Sequence, residues 1–360
     1  MKVLVLANFG MGLHNFRKEL LQELIDLQHE VYVSLPYDEY VPLLTNLGCK
    51  YIPTNVDRRG TNPITDLKLL YSYIYNINKV KPDIVLTYTI KPNIYGGIAC
   101  RMTNTPYLTN ITGLGTAVEN RNLMQVITLN LYKVALRQAK CVFFQNEPHR
   151  KFFSEKKIVG SNVEVLPGSG VNLQEYRVLN YPENDGIIRF LYIGRIMKAK
   201  GIDELIGAAK DIKQQYDSVE FELVGFCEEE YSKQLNELHD LGIIRYHGQQ
   251  INIKSYLERS HATILPSYHE GTSNVLLESA ASGRPILASN VTGCRETFDE
   301  SISGFGFEAK NEASLKEAIT KFLDLPYETK KQMGIEGRNK MKQEYDRKII
   351  IDAYIKQIMN

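Results

Sequence analysis

No apolar run in this 360-residue chain approaches the ~20 residues that a helix needs to cross a bilayer. The N-terminal run Val3 to Ala7 is too short for the apolar core of a signal peptide and leads straight into Gly10 and Gly12. It reads as a first strand, and export is not expected. Cysteine is sparse: the five, at 49, 100, 141, 227 and 294, form no C-x-x-C pair and mostly sit among apolar neighbours. That excludes a thiolate zinc site and suits reduced thiols in a cytosol. D-x-D does not occur, so the close carboxylate pair that grips a divalent ion is missing and no metal is expected. Net charge is only +1. Residues 1–170 nevertheless carry 19 Lys or Arg against 13 Asp or Glu, a surplus of six, which leaves minus five for the rest. A bias this small fits a solvated surface as well as a membrane or polyphosphate contact, and no nucleic-acid partner is expected.

Apolar, β-branched runs recur at 3–7, 31–35, 84–87, 107–111 and 142–144, separated by helix-like stretches such as 16–27 and 66–79. This alternation predicts a parallel sheet covered by helices. After Pro167-Gly168-Ser169-Gly170 the pattern restarts with runs at 187–193, 221–224, 243–246, 263–265 and 285–288. The fold class is therefore α/β with two Rossmann-like domains, 1–168 and 169–344, and a helix at about 345–360 that packs back on the first. Each domain is expected to open with a strand running into a glycine-containing turn, Gly10-Met-Gly12 and Gly194-Arg195. Ligands bind beyond the carboxyl ends of such strands, so a central cleft faced by both domains is the expected site.

Residues 266–284 carry the densest chemistry. Glu270 follows an apolar run and precedes Gly271, whereas Glu278 falls two turns into the helix suggested by Val275, Leu276 and Leu277. Between them, unpaired amides of Gly271, Thr272 and Ser273 at a helix start would bind an anion such as phosphate. A phosphate cradle between two carboxylates suits a phosphorylated, hydroxyl-rich ligand. At the first turn of the second domain, Arg195 and Lys200 stand five residues apart, where a guanidinium and an ammonium can neutralise a pyrophosphate and stabilise it as a leaving group. Solvated basic turn residues are the bland alternative.

Three features in order, G-R-x4-K-G at Gly194 to Gly201, His247-Gly248, and Glu270 with Glu278 as E-x7-E, make the chain resemble the retaining GT-B glycosyltransferases of family four. The first domain adds Phe16-Arg17, His29-Glu30-Val31, Tyr37-Asp38-Glu39-Tyr40, Thr112-Gly113-Leu114-Gly115 and Asn146-Glu147. That set looks like the bacterial subgroup that builds capsule, O-antigen and glycan-carrier oligosaccharides on polyprenyl diphosphate. The resemblance implies a UDP-sugar donor, an N-acetylhexosamine in particular, and no other cofactor. Arg195 and Lys200 would bind the donor diphosphate, Glu270 the donor sugar and Glu278 the ribose hydroxyls. Backbone groups of Gly248, Gln249 and on to Ile253 would flank the base. Amides of Thr272, Ser273, Asn274 and Val275, after Gly271, would complete the cradle, and Gly12 and Gly194 would allow close backbone approach.

Retention in this family is attributed to departure of the diphosphate and attack by the acceptor on the same face, so no protein base is obligatory. Many relatives carry a first-domain histidine where this chain reads Tyr88-Thr89 or Asn110-Ile111-Thr112, and Asn172 stands where Asp is common. His14, Arg17, Arg59, Thr112 and Gly113 are the acceptor-side candidates. Two stretches, Tyr71 to Lys81 and Leu123 to Lys140, read either as covers for the first sheet or as contacts with an anionic bilayer. A cytoplasmic protein, peripheral on the inner face of the plasma membrane and acting on a polyprenyl-diphosphate acceptor, would need only such modest basicity. An oxidoreductase is disfavoured because no third glycine follows Gly10-Met-Gly12 and no acid ends the second strand. An epimerase acting on UDP-sugars and a non-catalytic nucleotide-sugar binding protein are the alternatives.

Overall fold

The apolar runs of the first half become strands of one parallel sheet. In the computed structural model, which describes residues 1–58, 60–113, 123–228 and 230–360, β1 (Lys2–Leu6), β2 (Glu30–Leu35), β3 (Lys50–Pro53), β4 (Ile84–Tyr88), β5 (Tyr107–Ile111), β6 (Cys141–Phe144) and β7 (Val163–Val165) lie in the order β3-β2-β1-β4-β5-β6-β7. The edge strands β3 and β7 are only half-buried, so neither shows the continuous apolar run that marks a strand covered on both faces. Side chains alternate across the sheet. Val3, Val5, Val33, Leu86 and Phe143 face α1 (Gly10–Asp26), whereas Leu4, Leu6, Val85 and Tyr107 face α3 (Pro63–Val80) and α4 (Gly97–Met102). Short α2 (Val41–Asn46) packs beside α1, and α5 (Leu123–Leu136) and α6 (Glu147–Glu155) extend the second face.

Helix α1 begins at Gly10, six residues before the apolar periodicity announces it, so Gly10 and Gly12 lie in its first turn and not in a strand-to-helix turn. The reason is remote. Its N-cap residue, Phe9, offers no side-chain cap, and the Gly10 amide donates instead to Asp38 Oδ2 at 2.6 Å. A Cβ on Gly10 would fall 2.3 Å from Asp38 Oδ1, so close approach, and not left-handed backbone, is what requires glycine there.

The second sheet contains β8 (Ile188–Ile193), β9 (Val219–Val224), β10 (Arg245–Tyr246), β11 (Ala262–Leu265), β12 (Ile286–Ser289) and β13 (Gly304–Phe307), in the parallel order β10-β9-β8-β11-β12-β13. That is the dinucleotide-fold order, with its reversal between β8 and β11. Strand β13, Gly-Phe-Gly-Phe, is an edge strand too glycine-rich to be recognised by pattern. Helices α7 (Ile202–Gln215), α8 (Ser232–Asp240), α9 (Lys254–Arg259), α10 (Asn274–Ala281), α11 (Glu312–Leu323) and α12 (Tyr327–Glu344) accompany it. The chain divides into one unit of Met1–Ser169 with Lys348–Asn360 and another of Gly170–Arg347. The last helix, α13 (Arg347–Met359), belongs almost wholly to the first unit: Tyr354 packs on Phe143 with ring centroids 4.5 Å apart and accepts a hydrogen bond from Asn110 Nδ2 at 2.7 Å.

Candidate functional site

At the reversal point of the second sheet, β8 hands the chain to Gly194–Lys200 and β11 hands it to Pro266–Ser273. The two segments meet. Lys200 Nζ pairs with Glu270 Oε1, the Ser267 hydroxyl donates to the same carboxylate oxygen at 2.9 Å, and Tyr268 N donates to Ala199 O at 3.0 Å. Gly201, with φ +70°, makes this approach possible, since a Cβ there would lie 2.0 Å from Pro266 O. The Lys200 and Glu270 side chains are 18% and 15% exposed, so the pair is partly desolvated yet open to a ligand.

Arg195 does not join them. Its Nη1 pairs with Glu228 Oε2 at 2.6 Å in a half-exposed setting, while its carbonyl is fixed by the Tyr192 hydroxyl at 2.7 Å. Gly194 is packed under that hydroxyl, which would be 3.0 Å from an added Cβ. The two cations thus share a turn but hold different carboxylates.

Helix α10 starts at Asn274, capped by Ser273, whose Oγ accepts from Leu276 N at 3.5 Å. Ser273's own amide donates to Gly293 O at 2.8 Å, and Gly271 and Thr272 also have partners. The expected trio of unpaired amides at 271–273 is therefore corrected at Ser273, whose amide is taken, and the first-turn amides of the helix without intrahelical acceptors are those of Asn274 and Val275. Beside them the Asn274 side-chain oxygen is buried without a hydrogen-bond partner. Because the helix begins this late, Glu278 is its fifth residue, little more than one turn in and not two. Burial pushes the Glu278 carboxyl up to about 7, although a hydrogen bond from Tyr176 and the charge of Arg347 favour its ionised form.

The loop after β10 is anchored by His247 N donating to Leu223 O at 3.0 Å and by Gly225 N donating to Gly248 O at 2.8 Å. Gly248 has φ +65°; Gln249 is exposed, and Ile253 starts α9 and packs on the Leu191–Val224–Leu257 cluster. His247 Nε2 stands 3.3 Å from Glu222 Oε2, which Arg259 Nη2 holds at 2.6 Å, and burial keeps His247 below its usual range.

On the first unit, His14 is half-buried, with its ring 5.6 Å from that of Tyr40. Arg17 is not a surface cation: it is 4% exposed, its Nη1 donates to Phe16 O at 2.7 Å, and its guanidinium lies 5.1 Å from the Tyr88 ring centroid. Thr112 and Gly113 follow β5 and are half-buried, Gly12 is inside α1, and Arg59 lies outside the described residues. Sequence reasoning missed Ser267, Tyr176, Glu228 and Gly293. The only local signal among these is Gly293, whose φ of +84° and placement 2.6 Å from Gly271 O for a Cβ make glycine obligatory.

Known glycosyltransferases match both units of the chain. A family model described as "Glycosyl transferases group 1" matches residues 179–340, and one described as "Glycosyl transferase 4-like" matches residues 2–146. The N,N'-diacetylbacillosaminyl-diphospho-undecaprenol alpha-1,3-N-acetylgalactosaminyltransferase of Campylobacter jejuni is 27% identical over 99% of this chain and 98% of its own length. The UDP-Gal:alpha-D-GlcNAc-diphosphoundecaprenol alpha-1,3-galactosyltransferase of Escherichia coli is 27% identical over 76% of this chain and 74% of its own. Among solved structures, a glycosyltransferase from Rickettsia africae matches with a TM-score of 0.83 at 20% identity, covering 99% of this chain and 97% of its own. Anabaena HepE, solved with UDP and glucose, matches at 0.79 and 17% identity, covering 100% and 99%. At such identities these two speak for the fold alone, while the sequence matches favour the transferase over the epimerase and the non-catalytic reading. The chain belongs to the GT-B glycosyltransferases of family four, in the bacterial glycan-assembly group.

Proposed function

We propose that this glycosyltransferase moves an N-acetylhexosamine from a UDP-sugar to a polyprenyl-diphosphate-linked saccharide at the inner face of the plasma membrane, with retention and without a metal. The Lys200–Glu270 pair at the reversal point carries the reading, because it brings together a cation suited to a diphosphate and an acid suited to sugar hydroxyls. In that contact each neutralises the other. An arriving diphosphate offers Lys200 more negative charge than one carboxylate does, so Lys200 transfers to the phosphates and Glu270 is released to accept hydrogen bonds from sugar hydroxyls. The amides of Asn274 and Val275 at the start of α10 and the guanidinium of Arg195, once it leaves Glu228, add positive potential where leaving-group charge develops. Protein cations then do what a divalent ion does elsewhere. Glu278, beside Tyr176, takes the ribose.

The relatives support the substrates: both names record an undecaprenol-diphosphate-linked acceptor, and the E. coli name records UDP-Gal. Both also record alpha linkage, which is what retention yields from an α-linked UDP-sugar. The decisive experiment incubates the pure chain with a panel of UDP-sugars and a polyprenyl-diphosphate-linked saccharide, then measures UDP release and the anomeric configuration of the product. Release of UDP with one donor–acceptor pair and an α-linked product is expected. No release with any pair, or a β-linked product, refutes the proposal or its stereochemistry respectively.

A further inference from the structure

Phe226 is the one phenylalanine of thirteen that stands exposed, at 56%. A single exposed ring is ordinary on a surface, so its place decides what it means. Strand β9 ends at Val224, and Phe226 is the second residue beyond it, between two segments of the candidate donor site. On one side Ile196 N donates to Phe226 O at 2.8 Å, which ties it to the turn that carries Arg195 and Lys200. On the other, Gly225 N donates to Gly248 O at 2.8 Å and the Tyr246 hydroxyl donates to Gly225 O at 3.2 Å, which ties it to β10 and the loop after it. Two residues further on, Glu228 holds Arg195 at 2.6 Å.

The backbone around Phe226 is therefore fixed. Gly225 has φ +157° and lies so near Gly194 O that a Cβ would come within 1.7 Å of it, so the two turns are packed without slack. An apolar ring held on such a backbone and left open to water is pre-organised for a flat, apolar partner. Ile251, in the loop after β10, is fully exposed too. Strands β8, β9 and β10 are successive neighbours, so the end of β9 stands about 5 Å, and that of β10 about 10 Å, from the turn of Arg195 and Lys200. A nucleoside extends over a similar span from its phosphate to its base. The ribose candidate reaches the same loop by another route, since Tyr176 bonds Glu278 while Lys254 Nζ, next to Ile253, lies 5.5 Å from the Tyr176 ring centroid.

We infer that the Phe226 ring is the stacking platform for the nucleobase of the donor, and that it lets the site distinguish a nucleoside diphosphate from a diphosphate without a base. The inference rests on the reading of these residues as a donor site and adds to it the contact that takes the face of the base, whereas loop backbone can reach only its edge. A second copy of the chain is a poorer occupant. One ring beside the exposed, polar Gln249 and Gln250 offers far less than the ~800 Å² per partner that a stable dimer buries.

The chain contains no tryptophan, so the indole of Phe226→Trp would be the only one present. UDP should quench its emission on binding, and pyrophosphate, which offers the same cations no base, should not. By titration calorimetry Phe226→Ala should weaken UDP binding by about 5- to about 150-fold, the range that base–aromatic stacking supplies, and leave pyrophosphate affinity unchanged. Phe226→Tyr keeps the ring and should bind UDP as the parent does, whereas Phe226→Leu keeps apolar bulk without a π-face and should not. A side chain more than half exposed adds little to folding, so thermal midpoints should match the parent's; where Phe226→Ala fails to fold, the Phe226→Leu and Phe226→Tyr pair carries the test. Parent-like UDP affinity in Phe226→Leu, or no UDP-specific quench in Phe226→Trp, overturns the inference. So does a parallel loss of pyrophosphate affinity, which makes the ring a prop for the Arg195 turn, and so does a concentration-dependent dimer that Phe226→Ala dissolves. A parent chain that binds UDP no better than pyrophosphate overturns the donor reading and the platform together, whereas tight UDP binding that ignores Phe226 overturns the platform alone.

Discussion

Glu278→Gln separates donor binding from the strain that this carboxylate carries. In the folded chain burial raises Glu278 from the ordinary 4.5 to about 7, whereas in the unfolded chain it ionises normally. Below about pH 4.5 the carboxyl is neutral in both states and carries no penalty; as pH rises through 7 the folded state loses stability, because it binds the proton more tightly than the unfolded state does. A shift of this size amounts to at most ~3 kcal/mol, reached above about pH 7. The glutamine keeps the shape and never ionises. At about pH 8 the variant should therefore melt up to roughly 10 °C higher than the parent, and at about pH 4.5 at the same temperature.

Binding runs the other way. Ribose hydroxyls donate to the ionised carboxylate, so a UDP-sugar selects the form that is about 9% populated at pH 6 and about 91% at pH 8. Affinity measured by titration calorimetry should rise about tenfold between those pH values in the parent. In Glu278→Gln it should be flat, and weaker at about pH 8 by about tenfold or more. A UDP-sugar is the right probe because both its phosphates are esterified and do not titrate in this range. A flat profile in the parent together with an unchanged melting temperature in the variant would refute the assignment of Glu278 to the ribose.

Lys200→Ala should lower the transfer rate by a factor of ~10² through lost stabilisation of the departing diphosphate, and an unchanged single-turnover rate rejects that role. Glu270→Ala should spare UDP affinity while depressing transfer, so equal loss of UDP affinity in Glu270→Ala and Glu278→Ala would sink the division between sugar and ribose. Excess chelator should leave turnover within about twofold, since Lys200, Arg195 and the α10 amides supply the positive charge; restoration by Mg²⁺ of a chelated enzyme's rate would contradict this. Gly225→Ala should destabilise the second unit by at least ~2 kcal/mol in urea denaturation, because its φ is +157° and the new Cβ would sit 1.7 Å from Gly194 O.

The repeat of apolar runs and its restart after Gly170 determined two parallel α/β units, because strands buried on both faces have to be continuously apolar whatever surrounds them. Residue spacing also carried the family resemblance: Gly194 to Gly201, His247-Gly248, and Glu270 with Glu278 marked a candidate donor site before any geometry. Tertiary structure decided the pairings. That Lys200 holds Glu270 while Arg195 holds Glu228 depends on which strands adjoin, and β8 and β11 are neighbours despite some 70 intervening residues. The start of α1 depended on Asp38, and the true start of α10 on Ser273 and Gly293. A cap or an amide partner from elsewhere in the fold leaves no local periodicity. The two sides of α3 make the same point. Pattern alone shows Tyr71, Tyr73, Tyr75 and Ile77 as apolar, but only the packing on the sheet distinguishes the residues that build the core from those left facing outward.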